Sequence, residues 1–345
     1  MSVPRPTLRS LAAEAAVSPM TVSLALRNSP EVSPAMRRRL QRLAARRGYR
    51  PDPMITRLMH HLRAAEPTRF KASICGLRQG WAPERFHATN YRVRLEQGMR
   101  DRAEALGYGF SLIDIDEYPT AEQLQRVLGN RGIEGLVILP LRSPCDVTER
   151  VDWSGFATVS TTPSVTAPLF HRVVPHHFEN MLEACTRLLR SGFRRIGLAL
   201  TMEWELRVHH RWTGGLAWHN LFGGATPIPP FIGTEAGPNI APDAFIAWVT
   251  RERPDVILCE THDRAAFTSI LQSLPARNRP AAATLNWPNP PAGAGIDQRP
   301  ERIGEVAIEV LAAMLTRGEK GVPALPNTTM IDGRWMAGRS WPVEK

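Results

Sequence analysis

Residues 7–26 read TLRSLAAEAAVSPMTVSLAL, and this stretch decides the fold of the N-terminal region. Thr7 carries the hydroxyl of a helix N-cap and precedes apolar residues at helical spacing. Ser18 repeats the N-cap signal, and Pro19 follows at the first helical position, where proline is favoured. The stretch therefore predicts two helices, 8–15 and 19–26, joined by a turn of three residues.

A third helix is predicted behind these two, from residue 34 to about residue 47. Ser33 and Pro34 give the same start signal, and Gly48 stands where a helix commonly ends. The apolar stripe of this helix consists of Met36, Leu40, Leu43 and Ala44. Two short helices joined by a tight turn, with a third helix behind them, describe a helix-turn-helix module. In such a module the second helix enters the major groove of DNA.

Positive charge is concentrated in the same region. The 345 residues carry a formal net charge of +10, and residues 1–63 hold twelve arginines and no lysine against three acidic residues. Nearly all the excess charge therefore lies in the first fifth of the chain, beside a body that is close to neutral. Such asymmetry is typical of a nucleic-acid-binding segment, although charge alone is equally consistent with a solvated basic face.

Many residues of this region also keep the order and spacing of a known DNA-binding domain. They are Thr7, Leu8, Leu11, Ala12, Ala15, Ala16, Val17, Ser18, Thr21, Val22, Ser23, Val32, Ser33, Arg37, Leu43, Gly48, Tyr49 and Pro51. On these residues, the region resembles the headpiece of LacI/GalR transcriptional regulators. The resemblance implies a headpiece at 1–50 and a hinge helix at 51–63. In the family a leucine of the hinge enters the minor groove and kinks the duplex, and Leu58 stands at that position.

The resemblance also implies which residues contact DNA. These are Thr7, Ser18, Pro19, Met20, Thr21, Ser23, Leu24, Arg27, Asn28, Arg37 and Leu58. Pro19, Met20 and Leu24 occupy base-reading positions of the family, yet none can form bidentate hydrogen bonds with base edges. Sequence readout is therefore expected to use thymine methyl groups, the neighbouring polar residues, or DNA bending. The hydroxyl residues and Arg37 suit phosphate contacts, which set the register of the protein on DNA.

Residues 64–71 are predicted to form a polar linker, and strands and helices alternate from residue 72 onward. Strands are predicted at 72–77, 110–114, 133–139, 156–160, 195–200, 231–232, 255–259 and 281–285. Helices are predicted at 91–106, 121–128, 178–190, 211–222, 244–251 and 264–274. Such alternation implies parallel sheets with helices on both faces, arranged in two lobes with a ligand cleft between them. The expected fold is an all-α helix-turn-helix domain followed by a two-lobed α/β domain.

The body resembles the periplasmic-binding-protein-like effector domain of the same family. The segments that carry this resemblance are 102–108, 132–138, 191–197, 295–298, 303–307 and 321–323. The resemblance implies an effector-binding and dimerisation domain at 72–341. Its N-lobe is expected at about 72–170 and 296–325, and its C-lobe at about 171–292 and 326–341.

The implied effector-binding residues are Arg211, Asp263, Asn286, Trp287 and His176. Arg211 belongs to the R-x-x-G element of the family, and a guanidinium can form paired hydrogen bonds with sugar hydroxyls or with a carboxylate. Asn286 and the pair 176–177 occupy positions where the family has acidic residues, so two acidic partners for sugar hydroxyls are absent here. Trp81, Phe86 and Trp287 are candidates for stacking on a ring, or for ordinary core and rim packing.

Several other classes of protein are disfavoured by the sequence. No nucleophile elbow, phosphate loop or His-Glu-x-x-His motif is present, so the chain is expected to be no enzyme and to hold neither metal nor cofactor. The four cysteines are far apart and are expected to be buried free thiols. Neither a membrane-spanning apolar run nor a secretory signal is found, which predicts a cytoplasmic protein.

The expected partners are double-stranded DNA with a palindromic operator, a small-molecule effector and a second copy of the chain in a homodimer. The expected function is that of a transcription regulator, a repressor by family analogy. Two alternatives are an exported binding protein, which would need a signal peptide instead of the basic headpiece, and a nucleoid-type DNA binder without an effector.

Overall fold

The computed structural model describes residues 6–26, 31–49, 72–79, 90–141, 143–224, 226–233, 240–260, 264–287 and 293–338. The expected hinge helix at 51–63 and the linker at 64–71 lie outside these ranges. So do the candidate residues Arg27, Asn28, Leu58, Trp81, Phe86 and Asp263.

The headpiece consists of helices α1 (Leu8–Ala15), α2 (Pro19–Leu26) and α3 (Pro34–Arg46). The Thr7 hydroxyl accepts a hydrogen bond from the Ser10 amide at 3.1 Å, and the Ser18 hydroxyl accepts one from the Thr21 amide at 3.0 Å. Both predicted N-caps are therefore confirmed. Ala16 turns the chain between the helices with a left-handed backbone, at φ 55°.

A small apolar core holds the three helices together. Its buried members are Leu11, Ala12, Ala15, Val22, Ala25, Val32, Leu40, Leu43 and Ala44. Polar contacts from α3 complete the packing: the Gln41 amide donates to the Ala25 carbonyl at 3.1 Å, and Arg47 pairs with Glu14 at 2.8 Å. The helix-turn-helix arrangement predicted from residues 7–26 is thus present.

The body contains fourteen strands among the described residues. They are β1 (Ser73–Arg78), β2 (Gly109–Asp114), β3 (Ile133–Ile138), β4 (Cys145–Asp146), β5 (Ala157–Ser160), β6 (Val165–Ala167), β7 (His171–Pro175), β8 (Ile196–Thr201), β9 (Phe231–Gly233), β10 (Val256–Cys259), β11 (Ala281–Thr284), β12 (Ala294–Asp297), β13 (Thr328–Ile331) and β14 (Arg334–Met336).

Its helices accompany these strands. They are α4 (Asn90–Ala105), α5 (Ala121–Asn130), α6 (His177–Arg190), α7 (Met202–Arg207), α8 (Arg211–Phe222), α9 (Pro242–Glu252), α10 (Arg264–Ser273) and α11 (Pro300–Arg317). Of the elements in these two lists, α7, α11, β7, β12, β13 and β14 were not among the predicted ones, nor was the short pair β4 and β6.

Two six-stranded sheets form the cores of two lobes. The first sheet has the order β13-β7-β5-β3-β1-β2, and all its neighbours are parallel. The second has the order β14-β12-β11-β10-β8-β9, in which β14 alone is antiparallel to its neighbour. The expected two-lobed α/β fold with parallel sheets is confirmed. A short pair of strands, β4 and β6, lies apart from both sheets.

The described chain passes from one lobe to the other three times. It crosses after β7, after β12, and between β13 and β14. The lobe boundaries therefore differ from those expected, because residues 171–175 and 328–331 belong to the first sheet and 294–297 to the second. The segment at 171–175 gives a weak strand signal because it begins with two polar residues and ends in proline.

Helices α4 and α11 pack closely on the first lobe. A Cβ atom on Gly98 would overlap the backbone of Glu301, and one on Gly304 would overlap the carbonyl of Leu95. The two glycines therefore permit a backbone contact that no larger residue allows. Helix α11 begins at Pro300, so this close contact lies directly after the crossing that follows β12.

Candidate effector cleft and DNA-binding surface

A cavity with about 590 Å³ of open space lies between the two lobes. Residues after strands of the first sheet that line it are Pro140, Thr161, Thr162 and Pro163, and those after strands of the second sheet are Glu260, Asn286 and Gln298. Helices contribute Tyr91, Arg92, His177, Trp204 and Arg207. The carboxyl ends of parallel strands are the usual ligand position in such sheets. The structure therefore contains a cavity where the cleft was predicted, and both lobes contribute residues to its lining.

Three charged side chains are buried in the wall of this cavity. Arg92 is 3% exposed and donates a hydrogen bond to the Pro140 carbonyl. The Arg207 guanidinium lies over the Trp204 ring, 4.4 Å from its centroid, which is a cation–π arrangement. Burial lowers the pKa of Arg92 to about 9, and the positive charge of Arg207 contributes to this shift. Glu260 is buried too and offsets part of the positive charge.

His177 is a neutral polar group of the same wall. Its side chain is 5% exposed, and Nδ1 has no hydrogen-bond partner among the described residues. Its ring packs edge-on against Trp212 at 4.7 Å between centroids. Burial, followed by the charges of Arg211 and Arg207, lowers the pKa of His177 to about 3. The imidazole is therefore uncharged near neutral pH and can either donate or accept a hydrogen bond.

The described effector candidates differ in whether they line the cavity. Asn286 lines the cavity, whereas Arg211 begins α8 next to it and is half buried. The Trp287 indole donates to the Gly293 carbonyl at 3.1 Å, outside the lining. His176 also lies outside it, with Nδ1 2.9 Å from a carboxylate oxygen of Asp332. The role of each in binding an effector stays a prediction.

Several lining residues were not among the sequence candidates. Arg92, His177, Trp204, Arg207, Glu260 and Gln298 belong to this group. Glu260 and Gln298 each follow a strand of the second sheet directly. For Glu260 that position is a signal the sequence offered, because the strand at 255–259 was predicted, whereas β12 before Gln298 was not. The two arginines lie on helices and have no comparable signal.

The outer face of α2 presents the other candidate surface. Val22 and Ala25 are buried against the headpiece core, so Pro19 and Met20 face outward, and the Met20 side chain is 65% exposed. Thr21 and Ser23 are partly exposed, while Leu24 packs partly against the core.

Other DNA-binding candidates are engaged inside the headpiece. The Thr7 hydroxyl caps α1, the Ser18 hydroxyl caps α2, and an Arg37 Nη atom donates to the Val32 carbonyl at 3.0 Å. The exposed arginines of α3 are Arg38, Arg39, Arg42 and Arg46. They give the headpiece a strongly positive surface, because the acidic Glu14 is already paired with Arg47.

Two further findings concern the described residues only. None of their helices is long and apolar enough to cross a bilayer, and no three of their His, Cys, Asp or Glu side chains are grouped to hold a metal ion. No disulfide links the four cysteines; Cys75, Cys185 and Cys259 are buried as expected, and Cys145 is half exposed.

The headpiece matches one family model, and the whole chain matches solved structures. Residues 7–52 match the model described as bacterial regulatory proteins, lacI family. A complex of the transcriptional regulator CelR with cellobiose shares 19% identity at a TM-score of 0.57, covering 96% of this chain and 99% of that chain. A search of curated protein sequences returned no significant match.

Two more solved structures cover nearly the full chain. A lac repressor dimer bound to operator and the anti-inducer ONPF has 15% identity and a TM-score of 0.54, covering 99% and 100% of the two chains. A LacI-family regulator from Silicibacter pomeroyi has 19% identity and a TM-score of 0.52, covering 98% and 100%. At these identities the likeness establishes the fold, and the family model identifies the headpiece. Residues 7–52 thus match the lacI family of bacterial regulatory proteins, and the chain that carries them has the fold of LacI-type transcriptional regulators.

Proposed function

We propose that this protein is a sequence-specific transcription repressor whose DNA affinity is controlled by a small molecule bound between its lobes. The observation that carries the proposal is the interlobe cavity, because it stands on the same chain as a basic headpiece with an outward-facing second helix. A regulator needs both features, whereas a DNA-packaging protein needs only the headpiece.

On DNA, the proposed active species is a homodimer. Two headpieces would place their α2 helices in successive major grooves of a palindromic operator. Met20 contacts thymine methyl groups, and the arginines of α3 contact phosphates. Leu58 in the hinge at 51–63 wedges into the minor groove, where unstacking is offset by the contacts that a bent duplex allows. The lac repressor dimer bound to operator supports this arrangement by its similar fold.

Effector binding would act by changing how the lobes sit relative to one another. A ligand that contacts residues of both lobes stabilises the closed cleft. In the proposed mechanism each hinge, which precedes the first lobe in the chain, is displaced together with that lobe. The two binding equilibria are then coupled, so the effector changes DNA affinity by the same factor by which DNA changes effector affinity. The CelR complex with cellobiose supports a small-molecule ligand for this fold. We propose a binding role without catalysis, and action in the cytoplasm, where the DNA target lies.

Binding to a library of genomic DNA fragments at two salt concentrations tests this proposal. We expect recovery of a palindromic site that stays bound at the higher salt, since base contacts add to the phosphate attraction. Equal binding to all fragments that is lost at the higher salt concentration would contradict sequence-specific regulation. The recovered operator then serves to screen small molecules for those that alter DNA affinity.

A further inference from the structure

We propose that the effector of this cleft is an anionic small molecule whose carboxylate or phosphate group binds between Arg172 of the first lobe and Arg211 of the second. The inference rests on the proposed function, since it names the chemical class of the ligand that the cleft recognises.

The two arginines come from opposite sides of the cleft. Arg172 lies on β7 and pairs in register with Ser160 of β5. Ser160 directly precedes the lining residues 161–163 in the chain. Arg211 begins α8, three residues after the lining residue Val208. His209, between Val208 and Arg211 in the chain, is hydrogen-bonded to the backbone of Pro163. Burial, followed by the charges of Arg211 and Arg172, lowers the pKa of His209. The first and second lobes therefore approach one another where these arginines stand.

Both guanidinium groups have unused hydrogen-bonding capacity. Nε of Arg172 and Nη1 of Arg211 are buried and have no partner among the described residues. Burial, followed by the positive charge of Arg172, lowers the pKa of Arg211. The described residues show no carboxylate paired with either guanidinium. Two like charges across a cleft repel each other, and buried N–H groups without acceptors are unfavourable. One anionic group placed between them removes both penalties.

His177 connects this pair to the main cavity. It lines the cavity, and its Nδ1 atom lacks a partner among the described residues. Burial, followed by the charges of Arg211 and Arg207, lowers its pKa. A ligand that binds the arginine pair can therefore extend past His177 toward the Asn286 and Gln298 amides. Arg92 and Arg207 add two positive charges to the same wall, against the one negative charge of Glu260.

This arrangement selects against neutral sugars. Hydroxyl recognition usually pairs arginine with carboxylates, whereas Asn286 and His177 are neutral here, and the one carboxylate among the lining residues, Glu260, shares the wall with the two arginines Arg92 and Arg207. Arginine binds a carboxylate or phosphate through two parallel, charge-assisted hydrogen bonds. Because the two guanidiniums belong to different lobes, the same anion that is recognised also closes the cleft.

Thermal unfolding and titration calorimetry of the full chain test the inference. The probes are glucuronate, glucose 6-phosphate and inorganic phosphate, compared with glucose and with chloride at equal ionic strength. We expect phosphate and at least one anionic sugar to stabilise the protein above chloride, and glucose to have no effect. Glucuronate and glucose 6-phosphate distinguish a carboxylate from a phosphate ligand.

Variants locate the anion. Arg172→Gln and Arg211→Gln are each expected to weaken anion binding at least tenfold. Arg211→Lys keeps the positive charge and should retain part of the anion affinity. Arg190→Gln, an exposed arginine on α6, is the matched control and should bind as the parent does. Each variant must unfold in chloride near the parent temperature; Arg211→Lys preserves the test should a glutamine variant fold poorly.

Three results would overturn the inference. They are the absence of any anion effect beyond chloride, an anion effect unchanged in both glutamine variants, and glucose binding as tight as that of the anionic sugars. An effect that survives both variants would belong to the basic headpiece. Operator binding without ligand is measured on the same proteins: its failure contradicts the proposed function, whereas intact operator binding without anion recognition contradicts this inference alone.

Discussion

Arg94 and Asp297 join the two lobes, with the Arg94 Nη2 atom 3.0 Å from the Asp297 Oδ1 atom. Arg94 lies on α4 of the first lobe, and Asp297 ends β12 of the second sheet. The Asp297 side chain is 2% exposed, so its charge depends on partners within the protein. The crossing after β12 is thus held by an ion pair and lies next to the α4–α11 contact.

Removing the arginine from this pair should be strongly destabilising. Arg94→Met leaves Asp297 buried with the Arg299 amide at 3.0 Å and Arg334 at 3.5 Å as remaining partners. We expect a loss of about 3 kcal/mol in the free energy of unfolding, measured by urea denaturation. Arg187→Ala, which breaks a more exposed pair with Glu183 on α6, should lose about 0.5 kcal/mol or less. Equal losses in the two variants would show that the lobes are not held by this pair.

The close approach of α4 and α11 predicts a second difference in stability. Gly98→Ala and Gly304→Ala would each place a methyl group against the backbone of the opposite helix, so we expect losses of about 1–3 kcal/mol. Gly129→Ala is the control, because a Cβ there meets nothing within 4 Å and alanine favours the helix by about 1 kcal/mol. Urea denaturation checks all three. A neutral Gly98→Ala would mean that the helices can move apart freely.

Stability should fall in mild acid because of His177. Its pKa is about 3 in the folded chain and 6.5 in the unfolded one, so the unfolded state takes up the proton first. This loss begins below pH 6.5 and amounts to about 2 kcal/mol between pH 8 and pH 5. His177→Asn should remove that part of the pH dependence. The measurement is urea denaturation of both proteins at the two pH values, and parallel pH curves would contradict the assignment. His209 and His219, whose pKa values burial also lowers, stay the same in both proteins.

The headpiece predicts two different responses on DNA. Met20→Ala should weaken operator binding by about 1 kcal/mol and reduce discrimination between sites, since it removes an apolar base contact. Arg38→Gln should weaken binding to all sequences alike and reduce the salt slope by about one. Fluorescence anisotropy with operator and scrambled DNA at several salt concentrations separates the two. If Met20→Ala weakened both DNAs equally, its position would not read bases.

The hinge can be tested through the shape of the DNA. Leu58 lies outside the described residues, and its role as a wedge is proposed from the family resemblance. Leu58→Ala should reduce the bend of the bound operator, detected as faster migration of the complex in a gel-based bending assay. Leu58→Met, which keeps an apolar wedge, is the control. Unchanged bending in Leu58→Ala would remove the wedge from the mechanism.

The sequence predicted local structure best where a side chain itself marks the boundary. Helices α1 and α2 begin after Thr7 and Ser18 as expected, and α8 has its predicted bounds at 211–222. Strand β7 escaped prediction because its pairing with β5 and β13 depends on residues far away in the chain. Such long-range pairing overrides local preference.

Site residues were harder to predict than the fold. The adjacent histidines 176 and 177 are equivalent as sequence signals, yet only His177 enters the cavity wall, while His176 meets Asp332 at the start of α6. Which of two neighbours faces a ligand depends on where the chain leaves the sheet. Arg92 and Arg207 lie on separate helices, α4 and α7, and no local sequence pattern predicts that both line the same cavity.

The three passages between lobes have a consequence for biosynthesis. Strand β13, made near the end of the described chain, completes the edge of the first sheet next to β7, and α11 covers the early helix α4. Neither lobe can therefore close its core while the ribosome is still translating the middle of the gene. Apolar surface of the nascent first lobe stays uncovered until α11, which ends at Arg317, has emerged, and this interval exposes the chain to aggregation and to chaperones.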